Sequence, residues 1–218
     1  MSKEENIEEV LRCAQALFSK RGYDSIALRE IADAAHLSLG TVSFYFKAKE
    51  DIFQTLVQRA VRTIGTERLG LLAQLPSQGF TPLEHILFAI IWPVLRRLED
   101  PDPIEHSIPR LIRWALTGPE RVEQSLRKEF DATAADLIRT LQIACPGLSR
   151  SRAIWAYSFT ISMLYSRQVF DNRYADLMEG QTTDRSLQDR AMLLVKFASG
   201  GLLGLQNGGE SQAHQPEN

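Results

Sequence analysis

The fold is decided by the stretch LREIADAAHLSLGTVSFYFKAKEDIF, residues 28–53. Its apolar residues recur every three or four positions, which is the spacing of a helix that buries one face. The run His36–Thr41 interrupts this spacing and is too short to be anything but a tight turn. The stretch therefore predicts a short helix, a turn and a second short helix, with Val42 and Phe46 on the buried side of the second.

Such a two-helix unit is suited to reading DNA, because an α-helix fits the major groove of B-DNA when a rigid support presents its N-terminal face. The residues assigned to the support are Leu28, Ile31, Ala32, Leu37, Val42 and Phe46. The residues left facing outward are Leu39, Gly40, Thr41, Ser43, Phe44 and Tyr45. Lys47 and Lys49 follow at once, and aromatic, small polar and basic residues together suit contact with bases and phosphates.

The same stretch resembles a known family. It has arginine followed by Ile-Ala, a turn, Ser-x-Gly-Thr, an aromatic run ending in phenylalanine, and Lys-x-Lys-Glu leading the next helix. This order is similar to the DNA-binding domain of tetracycline-repressor (TetR) family regulators. The resemblance is strong roughly from Asn6 to Ile64 and extends further only in length and number of helices. It implies a regulator whose N-terminal head reads DNA.

The resemblance also implies roles for individual residues. Base-facing positions of the family fall on Arg29, Leu39, Gly40 and Ser43. Phosphate-facing positions fall on Thr41, Phe44, Tyr45 and Lys49. Lys49 is expected at a helix N-terminus, where backbone N–H groups and the helix dipole also favour a phosphate.

The chain departs from the family pattern at three positions. Ala27 stands where a hydroxyl residue often caps the second helix, which leaves Ser25 as the candidate cap. His36 replaces a usual turn glycine, which is tolerable because histidine is among the residues that adopt left-handed conformations. Ser43 stands where an aromatic residue is common, so the family's base preference does not carry over.

A plainer interpretation fits the same residues. The two helices could form one corner of a three-helix bundle with a solvated face, in which Phe44 packs inward and Leu39 has no partner. The full run of matches, more than the two-helix spacing itself, favours the DNA-reading interpretation.

Helical spacing continues through the rest of the chain, with almost no strand-like alternation. A first helix is expected to end at Gly22, and a fourth to connect two parts of the molecule from Lys49 to about Ile64. Five more are expected at about 82–98, 106–117, 119–144, 150–171 and 185–205. We predict an all-α protein of about nine helices. It comprises a DNA-binding domain at 1–64, an effector-binding and dimerisation domain at 65–205 and a disordered tail at 206–218.

The net charge of the head does not indicate DNA binding. Residues 1–62 hold nine Lys/Arg and nine Asp/Glu, and the remaining 16 basic and 18 acidic residues give the chain its net charge of −2. Phosphate affinity must therefore come from the placement of Arg29, Lys47 and Lys49, away from the four glutamates of the first helix.

Composition argues against several other classes of protein. Cys13 and Cys145 are far apart and have no neighbour at metal-ligand spacing, so we expect no disulfide, no metal site and no cofactor. No stretch approaches the roughly 18 apolar residues of a membrane helix, and the charged start is unlike a signal peptide. We expect a cytoplasmic protein with no membrane partner.

The last two predicted helices are rich in apolar surface, and small residues there permit close helix approach. The expected dimer interface comprises Trp155, Ser158, Ile161, Ser162, Tyr165, Leu193, Phe197, Gly200 and Gly201. By the resemblance, this helix pair meets its twin as a four-helix bundle. A two-fold homodimer sets two reading helices about 34–36 Å apart and implies a palindromic double-stranded operator. In the alternative, the same helices fill the core of a monomer.

The central helices carry the candidate effector site, which comprises Phe88, Trp92, Arg110, Arg113, Trp114 and Phe130. This set favours a small apolar or amphipathic effector, including an anionic one met by an arginine. The plainer alternative is core aromatics and surface arginines. An effector would release DNA by favouring a dimer geometry in which the heads no longer match successive grooves.

Three other functions stay open beside a ligand-released repressor. An activator would use the same head, and a DNA-binding protein without an effector would show a collapsed core in place of a pocket. An enzyme is a remote alternative, because no G-x-x-x-x-G-K, G-x-G-x-x-G, H-E-x-x-H or G-x-S-x-G pattern occurs and the four histidines do not cluster. We therefore predict no catalytic residues.

Overall fold

The computed structural model describes residues 2–74, 80–117, 120–177 and 186–207, with side chains described except at 117, 120–129, 166–177 and 207. Within these ranges the chain forms nine α-helices and no strand. They are α1 (Lys3–Arg21), α2 (Leu28–Ala34), α3 (Leu39–Tyr45), α4 (Lys49–Leu72), α5 (Pro82–Leu98), α6 (Pro103–Thr117), α7 (Glu120–Ala144), α8 (Arg150–Leu177) and α9 (Leu187–Asn207). The predicted all-α fold is confirmed.

Local signals place the ends of the first helices. The Ser2 hydroxyl accepts the N–H of Glu5 at 3.2 Å, and the Glu5 carboxylate accepts the N–H of Ser2 at 2.7 Å, which together cap α1. Gly22 ends α1 with a φ of 79°, a conformation that favours glycine. His36 turns the chain between α2 and α3 with a φ of 56°, so the prediction that it takes the place of a turn glycine is confirmed.

The prediction that Ser25 caps α2 is wrong. Its hydroxyl donates to the carbonyl oxygens of Arg21 at 2.7 Å and Gly22 at 3.3 Å, and so serves the end of α1. Ala27 takes the N-cap position of α2 without a side-chain cap. The Glu30 carboxylate accepts the Ala27 N–H at 3.0 Å and a hydrogen bond from Arg21, and both lower the pKa of Glu30.

Four helices differ from their expected ends. α4 continues to Leu72 and α8 to Leu177, beyond the expected 64 and 171. α6 begins at Pro103, three residues earlier than predicted, because proline suits the first helical position and the Asp102 carboxylate accepts the N–H of Ile104 at 2.8 Å. α9 continues to Asn207 and so includes the first two residues of the predicted tail; the Gln206 side-chain amide donates to the carbonyl of Pro146 at 2.7 Å. The rest of the predicted disordered tail, 208–218, lies outside the described residues.

The chain divides into two compact units. The first comprises residues 1–67 and 96–132, and the second comprises 68–95 and 133–218. The first unit is larger than the predicted head at 1–64, since α6 packs on α1 and belongs with it. The division of function at residue 64 stays a prediction.

An aromatic cluster fills the centre of the first unit. Phe18 of α1, Tyr23, Phe53 of α4 and Trp114 of α6 form five ring pairs, with centroids 4.2–5.8 Å apart. Tilted and edge-on aromatic pairs contribute about 0.5–1.5 kcal/mol each beyond their buried area. The cluster therefore fixes α6 to α1 and α4.

An ion-pair network also holds the first unit together. Glu67 of α4 accepts hydrogen bonds from Arg96 at 2.7 Å and from Arg97 at 2.5 Å. Arg97 is 3% exposed, and its Nε lies 2.8 Å from the Glu105 carboxylate of α6. Burial raises the pKa of Glu67, but the hydrogen bonds from the two arginines outweigh it and hold that pKa below its usual value. The buried Arg97 charge is thus matched by two carboxylates.

The second unit has an apolar core to which α5, α7 and α8 contribute. Its largest fully buried side chains are Leu87, Ile90, Ile91, Leu137, Leu141 and Leu164. In the described ranges, no helix is long and apolar enough to cross a bilayer, and no group of three metal-ligating side chains occurs. Cys13 and Cys145 are buried thiols, and burial raises the pKa of each.

Candidate nucleic-acid interface

The second helix of the motif, α3, is anchored at both ends. At its start, the Ser38 hydroxyl accepts the N–H of Thr41 at 3.0 Å and lies 2.8 Å from the Thr41 hydroxyl. Val42 and Phe46 are buried, as predicted for the supporting core. The turn is shorter than expected, because Leu39 already begins the helix.

The outward face of α3 is exposed at most of the predicted positions. Leu39 is 45% and Phe44 79% exposed, so Phe44 does not pack into the core of the head. Gly40, Ser43 and, on α2, Arg29 are exposed as well. We call Arg29, Leu39, Gly40, Ser43 and Phe44 the α3 surface. Of the six residues predicted for the support, Ile31, Ala32, Val42 and Phe46 are buried, whereas Leu28 and Leu37 are half-buried.

Two predicted phosphate contacts, Thr41 and Tyr45, are half-buried and are oriented by the protein itself. Thr41 is tied to Ser38, as described above. The Tyr45 hydroxyl accepts a hydrogen bond from the Asn6 side-chain amide at 3.3 Å, and its ring meets Phe44 at 5.5 Å. α1 thus helps to orient a side chain of α3.

Gly40 has no packing role in the head. A methyl group at Gly40 would meet only the Ser38 hydroxyl oxygen within 4 Å, at an ordinary 3.7 Å, and its φ is not positive. Glycine within a helix costs about 0.5–1 kcal/mol relative to alanine. Nothing in the packing of the free protein offsets the cost of glycine at this position. A partner that approaches the backbone of α3 closely would offset it.

Lys49 has a role that the sequence did not reveal. Its ammonium donates to the carbonyl oxygens of Tyr23 and Ile26, each at 2.8 Å, and lies 4.0 Å from the centroid of the Tyr23 ring. These contacts tie the start of α4 to the loop between α1 and α2. One of the three ammonium N–H bonds is left for a phosphate, so that contact stays a prediction. The acceptors lie more than twenty residues earlier in the chain, where no local pattern could indicate them.

Charge in the head is neutral overall but unevenly paired. Three arginines each meet a glutamate: Arg12 with Glu9, Arg21 with Glu30 and Arg59 with Glu8. Arg29 and Lys47 are exposed and have no carboxylate within 4 Å in the part of the chain that the structure describes. Arg29 and Lys47 therefore supply unpaired positive charge near α3, where it would attract the phosphate backbone of DNA.

The predicted dimer residues form a largely apolar surface. Trp155 is 58% and Phe197 73% exposed, and Trp155 stacks on Phe159 with centroids 5.5 Å apart. Ser158, Ile161 and Tyr165 are half-buried, and Ser162, Leu193, Gly200 and Gly201 are exposed. A surface groove of about 540 Å³ runs between α8 and α9, and no charged residue lines its described part. We call Trp155, Phe159, Leu193, Phe197, Gly200 and Gly201 the α8–α9 surface; sequence reasoning missed Phe159.

The predicted effector residues fall in both units. Phe88 and Trp92 of α5 are half-buried and stack at 5.3 Å, with Phe80 5.7 Å from Phe88. Trp114 instead lies in the aromatic cluster of the first unit. Arg110 is exposed and donates to the carbonyl of Ser19 at 3.4 Å, while Arg113 and Phe130 are half-buried. Their shared role in an effector site stays a prediction.

Two family models match the chain. Residues 10–56 match the model described as bacterial regulatory proteins, tetR family, and residues 89–201 match the tetracyclin repressor-like C-terminal domain. The second match covers more than half of the chain.

Relatives with curated names are helix-turn-helix regulators. An uncharacterized HTH-type transcriptional regulator of Mycobacterium tuberculosis is 30% identical over 160 residues, which are 72% of this chain and 73% of that protein. The HTH-type transcriptional regulator AcrR of Shigella flexneri is 32% identical over 88 residues, or 40% of this chain. The chain spans 41% of AcrR's length in that match.

A solved structure shows the same fold. SmeT, the repressor of the Stenotrophomonas maltophilia multidrug efflux pump SmeDEF, is 18% identical with a TM-score of 0.61, over 89% of each chain. The family consists of transcription regulators and not of enzymes. With an exposed α3 on a buried support, and with family matches over both its N-terminal and C-terminal parts, the chain belongs to the TetR family of helix-turn-helix transcriptional regulators.

Proposed function

We propose that the chain is a repressor that binds a palindromic operator as a homodimer and leaves it when a small apolar or amphipathic effector binds. The observation that carries the proposal is the α3 surface. Phe44 and Leu39 are exposed on a helix that buries Val42 and is followed directly by the buried Phe46. The packing of the head gives no reason for that exposure, whereas a helix that enters the major groove needs it.

The proposed contacts divide between bases and phosphates. Arg29 and Ser43 read base edges, and Leu39 and Gly40 allow close approach. Thr41, Phe44, Tyr45 and Lys49 face the phosphate backbone. The rigid setting of Thr41 by Ser38 and of Tyr45 by Asn6 supports this division, because phosphate contacts fix the register in which base contacts are made.

The proposed dimer forms through the α8–α9 surface, with α8 and α9 of two copies making a four-helix bundle. A two-fold interface uses the same patch twice and must therefore complement itself. An apolar groove flanked by Phe197 and by exposed glycines meets that condition, because each copy offers both a projecting ring and a place for one.

The proposed effector binds in the C-terminal part of the molecule. The stacked Phe88 and Trp92 supply an apolar wall of the kind that small-molecule sites use. SmeT is named as the repressor of an efflux pump, which favours repression over activation for this chain as well. Arg110, Arg113, Trp114 and Phe130 belong to this proposal only as predictions.

Selection of DNA from a random-sequence library by the full chain tests the proposal. We expect a pseudo-palindrome with half-site centres about 10–10.5 base pairs apart, or a multiple of that spacing. Enrichment without two-fold symmetry would contradict the dimeric reading of DNA. No enrichment above a non-specific background would contradict sequence recognition altogether.

Variants then assign the contacts. Arg29→Met should change the preferred base at one or two positions, with a discrimination of about 1–3 kcal/mol lost there. Phe44→Ala should weaken binding to all sequences alike. Arg62→Met removes an exposed arginine of α4 and should leave both affinity and preference unchanged.

A further inference from the structure

Among the side chains that the structure describes, two arginines are almost completely buried, but only one of them has a matching charge. Arg97 is 3% exposed and contacts both Glu67 and Glu105. Arg68, the next residue after Glu67, is 6% exposed and belongs to the second compact unit. Among the residues that the structure describes, no carboxylate pairs with Arg68. A buried cation without a counter-ion is costly, so its retention needs a reason.

The described partner of Arg68 is a backbone carbonyl of α5. Its Nε at 3.2 Å and Nη2 at 3.0 Å both donate to the carbonyl oxygen of Ile90. Pro93 follows three residues later in α5 and has no N–H to donate within the helix. A carbonyl dipole satisfies two N–H bonds but does not neutralise the charge.

The rest of the guanidinium is arranged for a carboxylate. Arginine has five N–H bonds, and three of them, on Nη1 and Nη2, have no acceptor among the described residues. Together they form the outer edge of the planar group, which binds a carboxylate through two parallel hydrogen bonds. The buried residues of α5 around Ile90 are apolar, and low polarity strengthens such a pair.

We infer that Arg68 is the anion-binding group of the effector site and that the effector is a carboxylate on an apolar body. The inference rests on the proposed effector function and makes it more specific. It moves the expected charge partner away from Arg110, which is exposed and lies in the first unit. The competing account is that Arg68 serves α5 alone, as a cap for the Ile90 carbonyl.

Binding of matched probes to the full chain tests the inference. The probes are straight-chain carboxylates from butyrate to dodecanoate and 2-naphthoate, each compared with the alcohol of the same body, by calorimetry and by thermal shift. In the wild type we expect at least one carboxylate to bind at least tenfold more tightly than its alcohol. In Arg68→Met that preference should be lost, a change of at least tenfold in Kd, and in the control Arg62→Met it should be kept.

Arg68→Lys keeps the test decisive if the methionine variant does not fold. Lysine retains the charge but not the planar pair of donors. In Arg68→Lys the carboxylate should therefore still bind more tightly than the alcohol, but by a smaller factor than in the wild type. Full preference in the lysine variant and in a folded methionine variant would overturn the inference. So would a wild type that prefers none of the carboxylates, with Arg68→Met only lowering the melting temperature, as the cap account expects.

Operator binding and molecular mass are measured on the same samples. A wild type that binds a palindrome as a dimer but prefers no carboxylate overturns the inference and leaves the DNA-binding proposal standing. A carboxylate that binds through Arg68 without releasing DNA supports the inference and contradicts effector release.

Discussion

The α3 surface and the α8–α9 surface each expose a phenylalanine to nearly the same degree, 79% for Phe44 and 73% for Phe197. Their surroundings differ. The α3 surface also contains the polar Ser43 and the charged Arg29, and Lys47 follows it. The α8–α9 surface groups Phe197 with other exposed apolar side chains, and no charged residue lines the described part of its groove.

The difference shows that an exposed aromatic ring does not by itself specify a partner. A mixed surface next to unpaired positive charge suits a polymer that presents phosphates and base edges. An uncharged apolar surface suits burial against another protein surface, and a self-complementary one suits its own copy. Both surfaces carry glycines that the packing of the free chain does not require, at Gly40 and at Gly201, which is consistent with a close partner in each place.

The largest expected effect separates the two surfaces. Phe197→Glu places two carboxylates in the proposed dimer interface and should weaken dimerisation by at least a factor of about a thousand, or roughly 4 kcal/mol. Sedimentation equilibrium measures the change. The control Gln188→Glu adds the same charge at an exposed position on the opposite side of α9 from Phe197. It should leave the mass of the dimer in solution unchanged. An unchanged dimer in Phe197→Glu would remove the α8–α9 surface as the interface.

Gly40→Ala tests the other surface. We expect operator affinity to fall by about ten- to a hundredfold because a methyl group would separate α3 from DNA, while the thermal stability of the head rises by about 0.5–1 kcal/mol. Fluorescence anisotropy and thermal unfolding measure the two effects. Gly201→Ala is the matched variant, and it should weaken the dimer instead. If Gly40→Ala bound DNA at full strength, the backbone of α3 would not lie close to the duplex.

Lys49→Met should affect both stability and DNA binding. Loss of two hydrogen bonds from a half-buried ammonium should lower the free energy of unfolding by about 1–2 kcal/mol, after allowance for its partial exposure. Operator affinity should fall by about tenfold because the loop and α4 lose their tie. Lys47→Met removes an exposed charge and should lower the slope of affinity against salt by about one without changing stability. Equal stability in the two variants would contradict the tie.

His36→Gly should have the smallest effect. Its φ of 56° is strained for a side chain and ordinary for glycine, so the substitution should stabilise the head by about 0.5–1 kcal/mol. His36→Ala should destabilise the head. Affinity for DNA should be the same in both variants as in the wild type. Thermal unfolding of the two variants distinguishes this account, since equal melting temperatures would show that the backbone stores no strain there.

Much of the fold follows from local sequence signals. Gly22 and His36 lie where a helix ends and where the chain turns, and both positions depend on backbone conformations that one residue determines. Pro103 and Asp102 also mark the start of α6, although the periodicity of apolar residues alone placed that start too late. Residues within four positions of each other therefore suffice to predict these helix ends and this turn.

The functional groups divide differently. The outward residues of α3 could be predicted because their pattern is local, as the exposure of Leu39 and Phe44 confirms. The tie of Lys49 to Tyr23, the place of Trp114 beside Phe53 and the burial of Arg68 could not be predicted. Each depends on helices that meet across tens of residues, and a single lysine, tryptophan or arginine in a sequence does not indicate its distant partner.

The mass of the protein bound to its selected palindrome tests the account most directly, because it requires both surfaces at once. Sedimentation of the complex should show two chains on one duplex for the wild type and none for Phe197→Glu at the same concentration. One wild-type chain per duplex, or a Phe197→Glu complex of undiminished affinity, would contradict the assignment of the α3 surface to DNA and of the α8–α9 surface to a second copy.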